Sequence, residues 1–369
     1  MIKKLVLSSA ILLVTNAFAQ DELHFKGNIK GIPNDAQVWL SVGKEQKEME
    51  VKDGKFDVRL PLEGPESVFL YLKQDNEFKH AVFYLGNEEV WIEGSVEDFP
   101  SNLQAQNSKH DALRYQEYLL TKDLQAQMDE LEDEAYELIE GGADKDSLYE
   151  VYMGIPSGKV TKVRQQLKVK EFDFIREHIN TDYGRFLLKF NTTDFTTAQF
   201  KTLVDAVDPV YKSTKEIQFI QALVDYPTLQ QGDQFYDFKA LDNNQQQVNF
   251  KSFFDGRYVL LDFSTWFCGY CHRAAPLTAE MAEQLEDKLN YVTYYVDNDE
   301  DSLALYFGLK ENKGTLLWNK EGEFNSTLAK YRQTGTPHYV LFDPKGKVVE
   351  VFEGIKDDFP EQIKKYIQG

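Results

Sequence analysis

Cysteine is almost missing from this sequence, with only Cys268 and Cys271 in 369 residues. That excludes the disulfide framework on which small exported domains rely. The pair is also a poor structural staple, because closing so short a loop removes little chain entropy. Long apolar runs are missing too. The most apolar stretch, Leu5 to Val14, is half of the roughly 20 residues that span a bilayer, and nothing later is longer. Positive charge is in deficit, at 41 Lys and Arg against 61 Asp and Glu, for a formal charge of −20. Such a surface repels nucleic acid and anionic lipid.

What is present begins with a targeting pattern. Lys3 and Lys4 precede the apolar run, and Ala17-Phe18-Ala19 stands before Gln20 as a cleavage signal. No cysteine follows the run, so lipid anchoring is not expected. Residues 1–19 therefore read as a signal peptide, and the product as exported, soluble and periplasmic. Loss of Lys3 and Lys4 takes the charge to −22, and the 350 residues left suggest two or three domains.

Residues 20–105 read as a β-rich module. Apolar alternation runs through Phe25, Gly27 and Ile29, through Val38, Leu40 and Val42, and through Phe56, Val58 and Leu60. Val68–Leu72, Ala81–Leu85 and Val90–Ile92 continue it, with turns at Ile32-Pro33-Asn34-Asp35, Asp53-Gly54, Gly64-Pro65 and Gly86-Asn87. Short strands at this spacing predict a small antiparallel sandwich or barrel. No nucleophile sits beside a base here, so a docking or dimerising module is expected. Trp39 and Trp91 read as core or rim aromatics, with a ligand groove as the alternative.

Residues 106–227 read as a helical segment. Leu120, Leu124, Met128, Leu131, Ala135 and Leu138 make one stripe of an amphipathic helix that Gly141-Gly142 ends. The acidic run from Asp129 to Glu137 is explained by a solvated helix face better than by a metal site. Helices are also expected over 160–179, 197–207 and 217–224. The segment reads as a spacer.

Residues 228–369 alternate strand and helix. Tyr258–Phe263 is a strand, Tyr270–Leu289 a helix, Tyr291–Val296 a strand and Asp301–Leu309 a helix. A short strand at Leu316–Trp318, a helix at Phe324–Tyr331, a hairpin around Asp343-Pro344-Lys345-Gly346 and a helix at Phe359–Ile367 complete it. Where the first strand runs into the first helix stands Trp266-Phe267-Cys268-Gly269-Tyr270-Cys271. A Cys-x-x-Cys pair in a strand–loop–helix context points to a dithiol redox centre.

This α/β region resembles the thioredoxin-like family, specifically the exported reductases of the TlpA and ResA type. Asp262, six residues before Cys268, stands where thioredoxins carry a buried acid. Pro276 stands where they kink the active-site helix, and Thr336-Pro337 where they have a cis-proline. The stretch from Asp297 to Tyr331 resembles the TlpA-type insertion. The modules ahead of it resemble the N-terminal regions that precede such domains in some bacterial envelope proteins. Two departures stand out: Phe267 directly precedes Cys268, displacing Trp266 by one, and the dipeptide is Gly269-Tyr270. Cys-Gly-Tyr-Cys with Gly335-Thr336-Pro337 resembles the bacterial periplasmic disulfide isomerase.

The resemblance implies a thiol–disulfide oxidoreductase that needs no organic cofactor and no metal. Cys268, at a helix N-terminus, would have its thiol lowered below the free value of about 8.5 and attack a substrate disulfide. Cys271 would resolve the mixed disulfide, and Asp262 would take its proton directly or through water. Thr336, Pro337, Trp266 and Tyr270 are the candidate substrate contacts, the Thr336 backbone pairing with an extended chain. His272 is either a cation that favours the Cys268 thiolate or a surface residue without a role. Expected partners are envelope proteins with disulfides, cytochrome c precursors among them, a membrane thiol transporter of the DsbD or CcdA kind, and a second copy through residues 20–227.

Four rivals stand beside this. A disulfide isomerase or oxidase is favoured by the Gly-Tyr dipeptide. A metal chaperone would hold Cu(I) through Cys268, Cys271 and His338. A peroxiredoxin needs proline where Leu261 stands. A scaffold would leave the dithiol idle.

Overall fold

A computed structural model describes residues 21–43, 45–74, 77–309, 313–356 and 358–368. The expected signal peptide lies outside these. Compactness divides the chain into two units, one ending at Lys170 and the other starting at Glu171.

The first unit opens with strands β1 (Leu23–Lys30), β2 (Gln37–Val42), β3 (Glu45–Met49), β4 (Lys55–Leu60), β5 (Glu66–Gln74), β6 (Glu77–Leu85), β7 (Glu89–Ser95) and β8 (Ala105–Gln106). They form two four-stranded sheets, ordered β4-β1-β7-β8 and β3-β2-β5-β6. Period-two alternation turns Phe25, Val38, Leu40, Val58, Leu70, Phe83 and Ile92 into one shared core. Burying a side chain of this size contributes about 1.5–3 kcal/mol. The sandwich is not wholly antiparallel, because β1 and β7 pair in parallel. Between them the chain crosses to the other sheet for β5 and β6, so β7 returns in the direction of β1. Trp39 and Trp91 alternate with buried neighbours and belong to different sheets, so each faces outward and they line no common groove.

Helices α1 (Lys109–Glu140), α2 (Lys145–Met153) and α3 (Lys159–His178) follow. Ser108 caps α1 by accepting from the Asp111 amide. Asp111 is wholly buried. Its carboxylate accepts from the Tyr84 amide of β6 at 3.2 Å, the Ala105 amide of β8 at 2.7 Å and Arg114 Nε at 2.5 Å. Arg114 also donates to the Leu103 carbonyl. Removing one member of a buried pair strands the other charge, at about 3–5 kcal/mol. Asp111→Ala is therefore expected to lower the first unfolding transition in urea by that amount; an unchanged midpoint would show that the pair holds nothing. Along α1, Ala135 is buried with Tyr152 and Val160, whereas Leu120 and Leu138 of the predicted stripe remain exposed.

The second unit holds the end of α3, then α4 (Asp182–Phe186), α5 (Thr197–Asp205) and α6 (Lys215–Asp225). These are followed by β9 (Lys239–Leu241), β10 (Gln247–Asn249), β11 (Tyr258–Ser264), α7 (Gly269–Gln284), β12 (Leu289–Tyr295), α8 (Glu300–Leu309) and β13 (Thr315–Trp318). Last come α9 (Ser326–Lys330), β14 (His338–Phe342), β15 (Val348–Glu353) and α10 (Phe359–Gln368). One seven-stranded sheet runs β10-β9-β13-β12-β11-β14-β15, with β11 parallel to β12 and antiparallel to β14. This is a thioredoxin-like α/β fold. α7 ends at Gln284 rather than Leu289, since Leu289 opens β12. The helix expected over 324–331 starts at Ser326, because Asn325 caps it by accepting from the Thr327 amide.

Side chains of β11 leave the sheet alternately. Leu261 and Phe263 join Phe200 and Leu203 of α5, Ile220 and Leu223 of α6, and Leu328 of α9 in one core. Leu260 faces the other way, onto Met281 of α7 and Ile363 of α10. The later part of the helical segment is thus no spacer: it covers one face of the sheet.

Candidate active site

β11 lies between two strands and under helices on both faces, which is why it reads as an unbroken apolar run. Its end delivers the chain through Thr265, Trp266 and Phe267 to Cys268, the N-cap of α7. Cys268 Sγ accepts from the Cys271 amide at 3.1 Å. The first helical amides and the macrodipole of a 16-residue helix both favour negative charge here. Cys268 and Cys271 are joined as a disulfide, their Cα atoms 5.2 Å apart. Cys268 is half-buried and Cys271 fully buried, so an incoming group meets Cys268 first.

The loop before Cys268 is held from several sides. Thr265 Oγ1 donates to Asp297 Oδ2 and accepts from the Phe267 amide at 3.2 Å. The Trp266 amide donates to Tyr295 OH at 3.4 Å, and that hydroxyl donates to Ser302 Oγ at 2.8 Å. His272 Nε2 meets the Trp266 carbonyl at 2.5 Å, its ring against the indole. His272 is therefore half-buried and tied into the loop. Trp266, despite its displaced position, packs with Cys271, Tyr306 and Trp318. Phe267 and Tyr270 stand out from the surface, 72% and 61% exposed, with Arg273 over the Tyr270 ring.

The Thr336-Pro337 peptide is cis. Thr336 O lies 3.3 Å from Cys268 Sγ, and Pro337 O accepts from the Gly354 amide at 2.9 Å. The segment thus faces the dithiol from β14. Cys268, Cys271, Thr336 and Pro337 come together, with Trp266 behind them and Tyr270 at the rim.

Asp262 is buried on the α7 face of the sheet. Ser264 Oγ donates to its Oδ1 at 2.6 Å and Tyr291 OH to its Oδ2 at 2.5 Å. Burial first, and the Asp262 charge second, push the Tyr291, Tyr306 and Tyr339 hydroxyls well above the ordinary phenol value. They stay protonated and can donate. No periodicity argument marked this ring of tyrosines. The signals available were Tyr291 on the strand beside Asp262 and Tyr339, which pairs directly with Asp262 from β14.

His338 is buried beside Phe263, with Nδ1 3.2 Å from Glu353 Oε1. Among the described residues no three His, Cys, Asp or Glu side chains gather as metal ligands, so His338 does not complete a Cu(I) site with the cysteines. Burial holds its imidazole below the ordinary value, with Glu353 pulling the other way. An unfolded histidine titrates near about 6.5. Below that pH the unfolded chain binds the proton more readily, so stability falls as pH drops through about 6.5 toward the folded value. His338→Gln is expected to flatten the loss of melting temperature between pH 7 and 5.5 in calorimetry. Parallel curves for the two proteins would sink this.

Residues 230–366 match the family model described as Redoxin. No curated protein matches the chain. Among solved structures, the chain is similar to the thioredoxin domain of a thiol-disulfide oxidoreductase from Bacteroides vulgatus, at 22% identity over 38% of this chain and 99% of that one, TM-score 0.35. A thiol:disulfide interchange protein from Bacteroides sp. matches at 23% identity over 38% and 92%, TM-score 0.35. A thiol-disulfide oxidoreductase from Bacteroides fragilis matches at 15% identity over 36% and 99%, TM-score 0.34.

Proposed function

We propose that this chain is a periplasmic thiol–disulfide oxidoreductase that reduces disulfides of envelope proteins through Cys268 and Cys271. One observation carries the reading: a half-buried Cys268 caps a long helix with the Thr336 carbonyl 3.3 Å from its Sγ and a fully buried Cys271 as its disulfide partner. The Cys268 thiolate attacks a substrate disulfide, forming a mixed disulfide and releasing one substrate sulfur, which takes up a proton. Cys271 gives its proton to Asp262 and attacks Cys268 Sγ, releasing the second substrate sulfur. Two electrons have passed to the substrate, and the disulfide seen here remains. A membrane thiol transporter of the DsbD or CcdA kind would return the electrons.

Export rests on the pattern of residues 1–19. Among the described residues no helix is long and apolar enough to cross a membrane. Pairing with a second copy through residues 20–227 is supported by the exposed Leu119, Leu120, Tyr136 and Leu138 along α1. An isomerase or oxidase is the second reading, favoured by the Gly269-Tyr270 dipeptide and its exposed ring.

The reduction potential separates them, measured by equilibrating the protein in thiol buffers and trapping free thiols. A reductase is expected near about −270 mV, and an isomerase or oxidase at about −180 to −120 mV. No reversible couple would overturn both.

A further inference from the structure

A cavity of about 190 Å³ opens on the sheet face opposite Asp262. Its floor is apolar: Phe219 of α6, Val296, Phe324 and Leu328, with the two phenylalanine rings edge to face at 5.8 Å. Lys189, Asp297 and Gln333 bring polar groups to it. Two of these are bonded to the loops that frame Cys268. Asp297 accepts from Thr265, which holds the Phe267 amide, and Gln333 Nε2 donates to the Gly335 carbonyl at 2.9 Å. Gly335 immediately precedes the Thr336 whose carbonyl faces Cys268 Sγ.

We infer that this cavity is a specificity pocket for an apolar side chain, of leucine or phenylalanine size, close in sequence to the substrate cysteine. The inference rests on the oxidoreductase reading and names what that site selects. Pockets for small molecules and cofactors run from about 300 to 1,000 Å³; this one is smaller and suits a single side chain. Through Asp297 and Gln333 its wall is bonded to both loops that frame Cys268, and an extended substrate advances about 3.3 Å per residue, so a residue close to its cysteine is the one offered to it. Lys189 and Asp297 carry opposite charges, so the rim favours neither sign, and the floor rewards apolar area. Lys189, Thr192 and Phe219 come from the helical segment, which thereby takes part in choosing the substrate.

The test uses the reduced full chain and nine-residue peptides with one cysteine, each as its mixed disulfide with glutathione. Phe or Asp stands two residues after the cysteine in one pair and two before it in another. Second-order rate constants are read by quenched thiol trapping. Phe is expected to outpace Asp by about tenfold in at least one pair, the low end of what an apolar pocket discriminates. Thr192→Trp, which fills the cavity, should shrink that ratio at least threefold, each rate normalised to glutathione disulfide. Equal Phe and Asp rates in both pairs, or a ratio that Thr192→Trp leaves intact, would overturn the pocket alone. If neither peptides nor glutathione disulfide react, the oxidoreductase reading falls first and the pocket with it.

Discussion

Cys271→Ser is expected to abolish turnover while leaving the protein covalently attached to its substrates. Cys268 remains at the helix N-terminus, half-buried and facing Thr336, so the first attack still occurs. Serine has no sulfur to displace the substrate from Cys268 Sγ, and the mixed disulfide persists. Cys268→Ser should instead form no adducts, since the only thiol left is fully buried. Both variants fall to the uncatalysed rate, yet non-reducing electrophoresis and mass spectrometry distinguish them. Equal adducts on the two variants, or turnover by Cys271→Ser, would contradict the assigned order of attack. An active double variant would favour the idle-dithiol scaffold.

Asp262→Asn is expected to slow resolution by about 100-fold at neutral pH, the low end of what general acid–base catalysis contributes. The step needs a proton removed from Cys271, which water cannot reach freely because its side chain is sealed among Tyr295, Tyr306 and Trp318. Asp262 lies on the same side of β11, its oxygens fixed by Ser264 and Tyr291. Asparagine keeps the shape and cannot take a proton. As pH rises, the brief openings that admit solvent deprotonate Cys271 more completely, so the gap between variant and wild type should narrow. Single-turnover decay of a preformed mixed disulfide between pH 6 and 9 measures this. Equal decay across that range would remove Asp262 from the mechanism.

Much of this arrangement was legible because each part has a local cause. A strand buried on both faces is apolar throughout, so Val259 to Phe263 declared itself, and Asp262 stood out within it. Cys-x-x-Cys at a strand-to-helix junction and a Thr-Pro before the next strand are short-range patterns. What escaped depends on contacts across the chain. β3, Glu45-Gln46-Lys47-Glu48-Met49, has almost no apolar alternation and is a strand only because β2 pairs with it. The parallel pairing of β1 with β7 follows from where the chain crosses between sheets, which no window of sequence records. Asp297 and Gln333 gain meaning only from the loops they hold. The apolar faces of α5 and α6 were evident, but not that the thioredoxin-like sheet is what they cover.

The two sheets of the first unit also end in strands whose free edges invite another chain to add on. β3 and β4 answer this with charge, through Glu45, Lys47 and Glu48 on one and Lys55, Asp57 and Arg59 on the other. On the remaining two edges the buried Asp111 carboxylate occupies backbone donors, the Tyr84 amide on β6 and the Ala105 amide on β8. One side chain thus takes up a backbone donor on an edge of each sheet. A chain lacking it would leave an unpaired donor at the edge of each sheet, where a neighbouring strand could begin to pair.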